Sequence, residues 1–155
     1  MLPNIPEEVF EIWLSTDIKH YGWLFNKLTD SFQNTKWEGV FGSEITLEGL
    51  ANLVWHKDRL PLDITIFNPT TRITLGIFLE KGRNKDGTLG DGYFKSSKAR
   101  TFDHFKHIKG TGRFCAPIVV IRTVRGLSLF DGYHRMTAAF ILNKPNFVVD
   151  AWIGE

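Results

Sequence analysis

The stretch from Ala116 to Ile153 constrains the fold more than any other part of the chain. Ala116-Pro117-Ile118-Val119-Val120-Ile121-Arg122 is a short apolar run rich in β-branched residues, which reads as a buried strand. Val124-Arg125-Gly126 turns the chain back into a second strand, Leu127-Ser128-Leu129-Phe130. An amphipathic helix is expected from Met136-Thr137-Ala138-Ala139-Phe140, ended by Asn143-Lys144-Pro145. Phe147 to Ile153 supplies a final strand. Strands interleaved with a helix predict an α/β (α+β) fold.

Between the second strand and the helix lies Asp131-Gly132-Tyr133-His134-Arg135. A glycine at such a junction lets the backbone turn sharply and lets a ligand approach. The first amides of a helix have no intrahelical partners and point outward at the positive end of the dipole. Here the first turn also carries His134 and Arg135. Cations there oppose the dipole unless an anion lies between them, so the segment reads as a phosphate site. Asp131 has two open readings, as a ligand for Mg²⁺ or a brace for His134, and as an ordinary helix N-cap. Tyr133 either stacks on a base or covers the loop.

Upstream, Pro6-Glu7-Glu8 opens a helix bearing Val9, Ile12 and Trp13, and a second helix is expected from Asp17 to Phe32. A third begins near Thr46 with Leu50, Leu53 and Val54, and ends before Pro61. Asp63 to Phe67 and Arg72 to Leu79 read as strands, and residues 81–95 as a Gly-rich polar loop. A short helix covers Thr101 to Ile108, broken at Gly110-Thr111-Gly112. The chain is thus expected to be one domain over residues 1–155. Residues 1–60 form a mainly helical half, packed on a small mixed sheet drawn from residues 61–155.

Length and composition narrow the classes. At 155 residues the chain can bury a real core. No apolar run approaches the roughly 20 residues that span a bilayer, and the N-terminus lacks a signal-peptide pattern. The single cysteine, Cys115, excludes an internal disulfide and fits a reducing compartment. A cytoplasmic protein with no membrane partner is the expectation. Cys115 itself reads as a small buried apolar residue.

The net charge of +2 conceals a basic block. Residues 81–113 carry nine basic and three acidic side chains, whereas residues 1–80 carry six and eleven. Lys98 and Arg100, with Lys81, Arg83, Lys85 and Lys95, can clamp a nucleotide's outer phosphates, can equally contact a nucleic-acid backbone, or can simply form a solvated loop. His104 and His107 sit one helical turn apart beside Asp103, but zinc requires more ligands than this pair offers, so a surface helix is expected.

The order strand, tight turn, strand ending in Asp-Gly-x-His-Arg, Ala-Ala helix and strand resembles the ParB/sulfiredoxin-like superfamily. The resemblance runs from about Pro117 to Ile153 and is tightest from Leu129 to Ala139. It implies a small α/β domain that binds a nucleotide phosphate at the helix N-terminus. Sulfiredoxins carry a catalytic cysteine between the Gly and the His, where this chain has Tyr133. Partition proteins carry Gly-Glu-Arg-Arg and a separate DNA-binding helix-turn-helix, and this chain has Gly-Tyr-His-Arg. The resemblance therefore points to neither subgroup, but to nucleotide binding with hydrolysis or transfer of phosphate.

The combined reading is a nucleotide-dependent enzyme acting on ATP or another nucleoside triphosphate with Mg²⁺, as a hydrolase, a phosphotransferase or a nucleotide-depleting toxin. Gly132, Tyr133, His134, Arg135, Lys98 and Arg100 would bind phosphate. Asp131, His134 and Arg135 would be catalytic, with Asp131 the metal ligand. The competing reading is a DNA- or RNA-binding module, or a nuclease, working through residues 81–113.

Overall fold

A computed structural model describes residues 4–14, 49, 52–82 and 95–155. Helix α1 (Glu7–Val9) runs into a π-helical segment, Phe10–Leu14. Strand β1 (Trp55–Pro61) and a 3₁₀ turn (Ile64–Ile66) precede α2 (Pro69–Gly82) and α3 (Lys95–Thr111). Then come β2 (Ile118–Thr123), β3 (Gly126–Asp131), α4 (Tyr133–Leu142) and β4 (Val148–Gly154). The result is a mixed α/β fold, with helices packed against a four-stranded sheet ordered β1-β4-β2-β3. β1 is antiparallel to β4, β4 parallel to β2, and β2 antiparallel to β3.

Burial explains the order. β2 is central, and Ile118 to Ile121 are all buried. Ile118 and Val120 join Leu129, Met136, Ala138, Ala139, Ala151 and Ile153 in the main core, on the face that α4 covers. Small Ala138 and Ala139 let α4 sit close, between α2 and α3. Val119 and Ile121 point to the opposite face and are equally buried. There Trp152 pairs with both Val119 and Lys57, and α1 lies across them. Glu8 accepts a hydrogen bond from Trp152 Nε1 at 3.0 Å and ion-pairs with Lys57, which draws its carboxyl below the ordinary range.

Several local readings are corrected. Residues 55–61, expected to close a helix, form β1, whose pairing with β4 continues through reciprocal backbone bonds between Val54 and Glu155. Residues 63–67 are not a strand: the Asp63 carboxylate accepts bonds from the Thr65 amide (2.8 Å) and hydroxyl (2.7 Å), favouring a 3₁₀ turn. Residues 72–79 are the middle of α2 rather than a strand. Pro69 opens that helix, the Asn68 side chain accepts from the Thr71 amide at 2.9 Å, and Thr71 and Leu75 bury one helical stripe. Cap and burial outweigh the β-branched residues' weak helix propensity. α3 extends from Lys95 to Thr111, longer than expected at both ends, and the chain turns at Gly112 with φ of 74°. α4 starts at Tyr133, one turn before Met136. Sheet and long helices therefore both occur after residue 61, and the sheet also recruits residues 55–60. The expected helix over residues 17–32, most of that from Thr46, and loop residues 83–94 lie outside the described residues.

Candidate phosphate-binding site

The candidate site forms where β3 ends and α4 begins. Val119 of β2 faces Asp131 and Val120 faces Leu129, so Phe130 is an extra residue on β3. Such a bulge bends its strand and re-aims the residues beside it. Asp131 follows at once, and Gly132 then turns the chain with φ of 113°. Only glycine fits, because an added Cβ would lie 2.5 Å from Ile118 Cγ2.

Gly132 is the N-cap of α4, and no side chain caps it. The Asp131 carboxylate does not serve as the N-cap or as a brace for His134. Its Oδ2 instead accepts from Arg135 Nη2 at 2.6 Å, one helical turn on. The same Nη2 donates to the Pro117 carbonyl at 3.1 Å, at the entry to β2. Both hydrogens of that nitrogen are thereby committed, and the guanidinium is locked with its side chain 12% exposed. Arg135 Nε is buried without a hydrogen-bond partner. Burial raises the Asp131 pKa above the ordinary carboxylate range, although Arg135 opposes the shift.

His134 leaves a second buried nitrogen, Nε2, without a partner. Its ring meets Phe78 of α2 edge-on, at 5.5 Å between centroids. Desolvation, then Arg100, His104 and Arg135, push its pKa down to about 4, so the ring is neutral near pH 7. Arg100 and His104 come from α3, which brings part of the basic block to this turn. His104 is itself held below its usual value, first by burial and next by Arg135. Four nitrogen-bearing side chains thus converge with one carboxylate.

The Tyr133 side chain is engaged with α2. Its ring stacks on Phe78 at 5.5 Å and 28°, and its hydroxyl engages Thr71 and Thr74. Burial raises its pKa despite those bonds. The ring therefore covers the α2–α4 contact and is not presented to a base. Lys98 falls on the first turns of α3, where only the backbone is described. Arg100 is exposed and faces His134.

Among the described residues, no group of three or more His, Cys, Asp or Glu side chains could hold a metal. His104 lies beside Cys115, which is exposed rather than buried. Asp131 can offer Mg²⁺ one carboxylate, with Oδ2 already held by Arg135. That fits an ion arriving with a nucleotide, because Mg²⁺ takes most of its ligands from phosphate and water.

Three features of the site carry no sequence signal: the Phe130 bulge, the Pro117 carbonyl that holds Arg135, and the approach of His104 to His134. Each depends on residues brought together from separate elements. No described helix is long and apolar enough to cross a membrane. No protein-family model, curated protein or solved structure matches the chain, so its resemblance to the ParB/sulfiredoxin-like superfamily rests on the residues from Pro117 to Ile153 alone.

Proposed function

We propose that the first turn of α4 binds the phosphates of ATP or another nucleoside triphosphate, in an enzyme that hydrolyses or transfers the terminal phosphate. The observation that carries this reading is the pair of buried, unpartnered nitrogens, His134 Nε2 and Arg135 Nε, at an uncapped helix N-terminus. Leaving such groups unpaired costs about 1–3 kcal/mol each, more for a charged one. A phosphate supplies the acceptors, and the helix dipole and the guanidinium both favour its charge.

Each residue has a role in that reading. The amides of Gly132, Tyr133 and His134 cradle an equatorial oxygen. Arg135, held through Nη2 by Asp131 and Pro117, would neutralise charge that grows in the transition state. Arg100 meets the outer phosphates, with Lys98 from the same helix. His134, neutral near pH 7, can donate one hydrogen bond and take up a proton as phosphate binds. Mg²⁺ bound to the nucleotide would supply charge neutralisation, and Asp131 would be its ligand from the protein.

The nucleic-acid reading has less support. In the described part of the basic block, Lys106 pairs with Asp103 at 3.4 Å and Arg113 with Asp150 at 3.4 Å, which offsets part of its charge. The test is phosphate release from ATP with Mg²⁺, by the wild-type protein and by Asp131→Asn. The proposal expects release from the wild type and its loss in the variant. A protein that releases no phosphate from any nucleoside triphosphate, yet shifts a nucleic-acid probe at moderate salt, would replace it with the second reading.

A further inference from the structure

Cys115 lies in the segment between α3 and β2 and has a base beside it, His104, which also neighbours His134 and Arg135 of the proposed phosphate site. Its sulfur is 3.8 Å from His104 Nδ1, and the residue is exposed. It also lines a cavity of about 550 Å³ bordered by Lys57, Asp58, Arg59, Arg113 and Asp150. A cysteine kept only for packing has neither feature, whereas reactive cysteines occupy partly exposed positions beside a basic group.

The two partners are suited to one another. His104 is held in its neutral form, first by burial and then by Arg135, His107 and Arg100, against an opposing pull from Asp103. His134 faces it from α4 and is also neutral near pH 7. A neutral imidazole can accept the thiol proton. The cavity wall carries separated charges of both signs. Asp150 stands between Arg59 at 3.8 Å and Arg113 at 3.4 Å, while Glu8 is engaged by Lys57. Three cationic and three anionic side chains line the space. That balance suits a ligand bearing both ammonium and carboxylate groups better than a polyanion.

We propose that Cys115 and His104 form a nucleophilic thiol–imidazole pair that undergoes thiol–disulfide exchange with a zwitterionic low-molecular-weight disulfide seated in this cavity. The thiol proton passes to His104 Nδ1, and the Cys115 sulfur attacks one sulfur of the disulfide. A new S–S bond forms as the old one breaks. The departing thiolate recovers the proton from the imidazolium and leaves as a thiol. Cys115 is oxidised to a mixed disulfide, and the leaving sulfur is reduced.

The 155-residue chain has a single cysteine, so an adduct seen by intact mass belongs to Cys115. The rate of adduct formation at pH 7 should be measured with glutathione disulfide and with uncharged bis(2-hydroxyethyl) disulfide. His104→Gln should slow both reactions by at least about threefold, the net gain expected from thiolate formation after its lower nucleophilicity is discounted. Arg59→Ala combined with Arg113→Ala should remove the wild-type preference for glutathione disulfide and leave the uncharged rate unchanged. A His104→Gln rate equal to the wild type, or a preference untouched by the double substitution, would overturn the proposal. Should His104→Gln fail to fold, the two disulfide rates of the Arg59→Ala/Arg113→Ala protein decide: loss of the preference for glutathione disulfide supports the proposal, and an unchanged preference refutes it.

Discussion

The two ends of β3 present the same backbone problem and resolve it differently. At its start Gly126 has φ of 122°, and a Cβ there would lie 3.0 Å from the Ile66 carbonyl oxygen. At its end Gly132 has φ of 113° and meets Ile118 even more closely. Around Gly126 the polar groups find partners within the protein. Thr123 Oγ1 donates to the Gly126 carbonyl at 2.6 Å, and the Asn68 amide donates to the Leu127 carbonyl at 2.8 Å. Around Gly132 the neighbouring polar groups include buried nitrogens with no partner. One glycine closes a hairpin whose polar groups are paired, while the other opens a helix beside buried nitrogens that have no partner. Backbone strain therefore does not distinguish the two ends, whereas unsatisfied polarity does.

The largest effect should come from Gly132→Ala. Strain at positive φ together with overpacking against Ile118 predicts a loss of about 2–5 kcal/mol of stability, read from denaturant unfolding. Gly126→Ala should also destabilise, yet leave the ATP affinity of the folded fraction unchanged. A nucleotide defect in Gly126→Ala would erase the contrast between the two ends.

Acid should act on the Gly132 end. His134 has a folded pKa of about 4 against an ordinary 6.5, so the native state favours the neutral ring. Its contribution is complete above about pH 6.5 and is lost as pH falls through 4, amounting to at most about 3 kcal/mol. His134→Gln should flatten the stability profile across that window; an unchanged slope would remove His134 from the buried site.

Next in size, Arg135→Ala should weaken ATP binding by about 1.5–3 kcal/mol, the range for hydrogen bonds to charged groups. Arg135→Lys keeps a charge but loses the planar fork, and should fall between. Equal affinity in folded Arg135→Ala would detach the guanidinium from the ligand. The smallest effect belongs to the hairpin. Thr123→Val removes the bond to Gly126 at an exposed position and should cost about 0.5–1.5 kcal/mol, with no change in nucleotide binding.

The contrast also separates what local sequence reveals from what it hides. Ile118 to Ile121 form an apolar run without helical spacing, and the run becomes the central strand. Gly126 and Gly132 mark two tight turns, and Asn143 ends α4 with φ of 49°. These features are legible because their causes lie within a few residues. β1 is not, since its partner β4 comes from the far end of the chain. α2 is hidden because its β-branched surface conceals a stripe that begins at the Asn68 cap. At the site, Gly132 to Arg135 announce themselves as a helix start. The pairing of Asp131 with Arg135, the support from Pro117 and the approach of Arg100 and His104 emerge only when β2 and α3 close around that turn.

The central claim is that an anion completes the buried polar groups of the Gly132–Arg135 turn. The most direct measurement is the titration of the His134 ring by ¹H–¹⁵N NMR, with and without ATP, using His134→Gln to assign the resonance. The free protein should titrate near pH 4. A phosphate beside Nε2 favours the protonated ring, so saturating ATP should raise that midpoint by at least about one unit, and ATP affinity should increase as pH falls through the raised midpoint toward the free one. A His134 midpoint that stays near 4 in the presence of saturating ATP would contradict the assignment of this turn as the phosphate site.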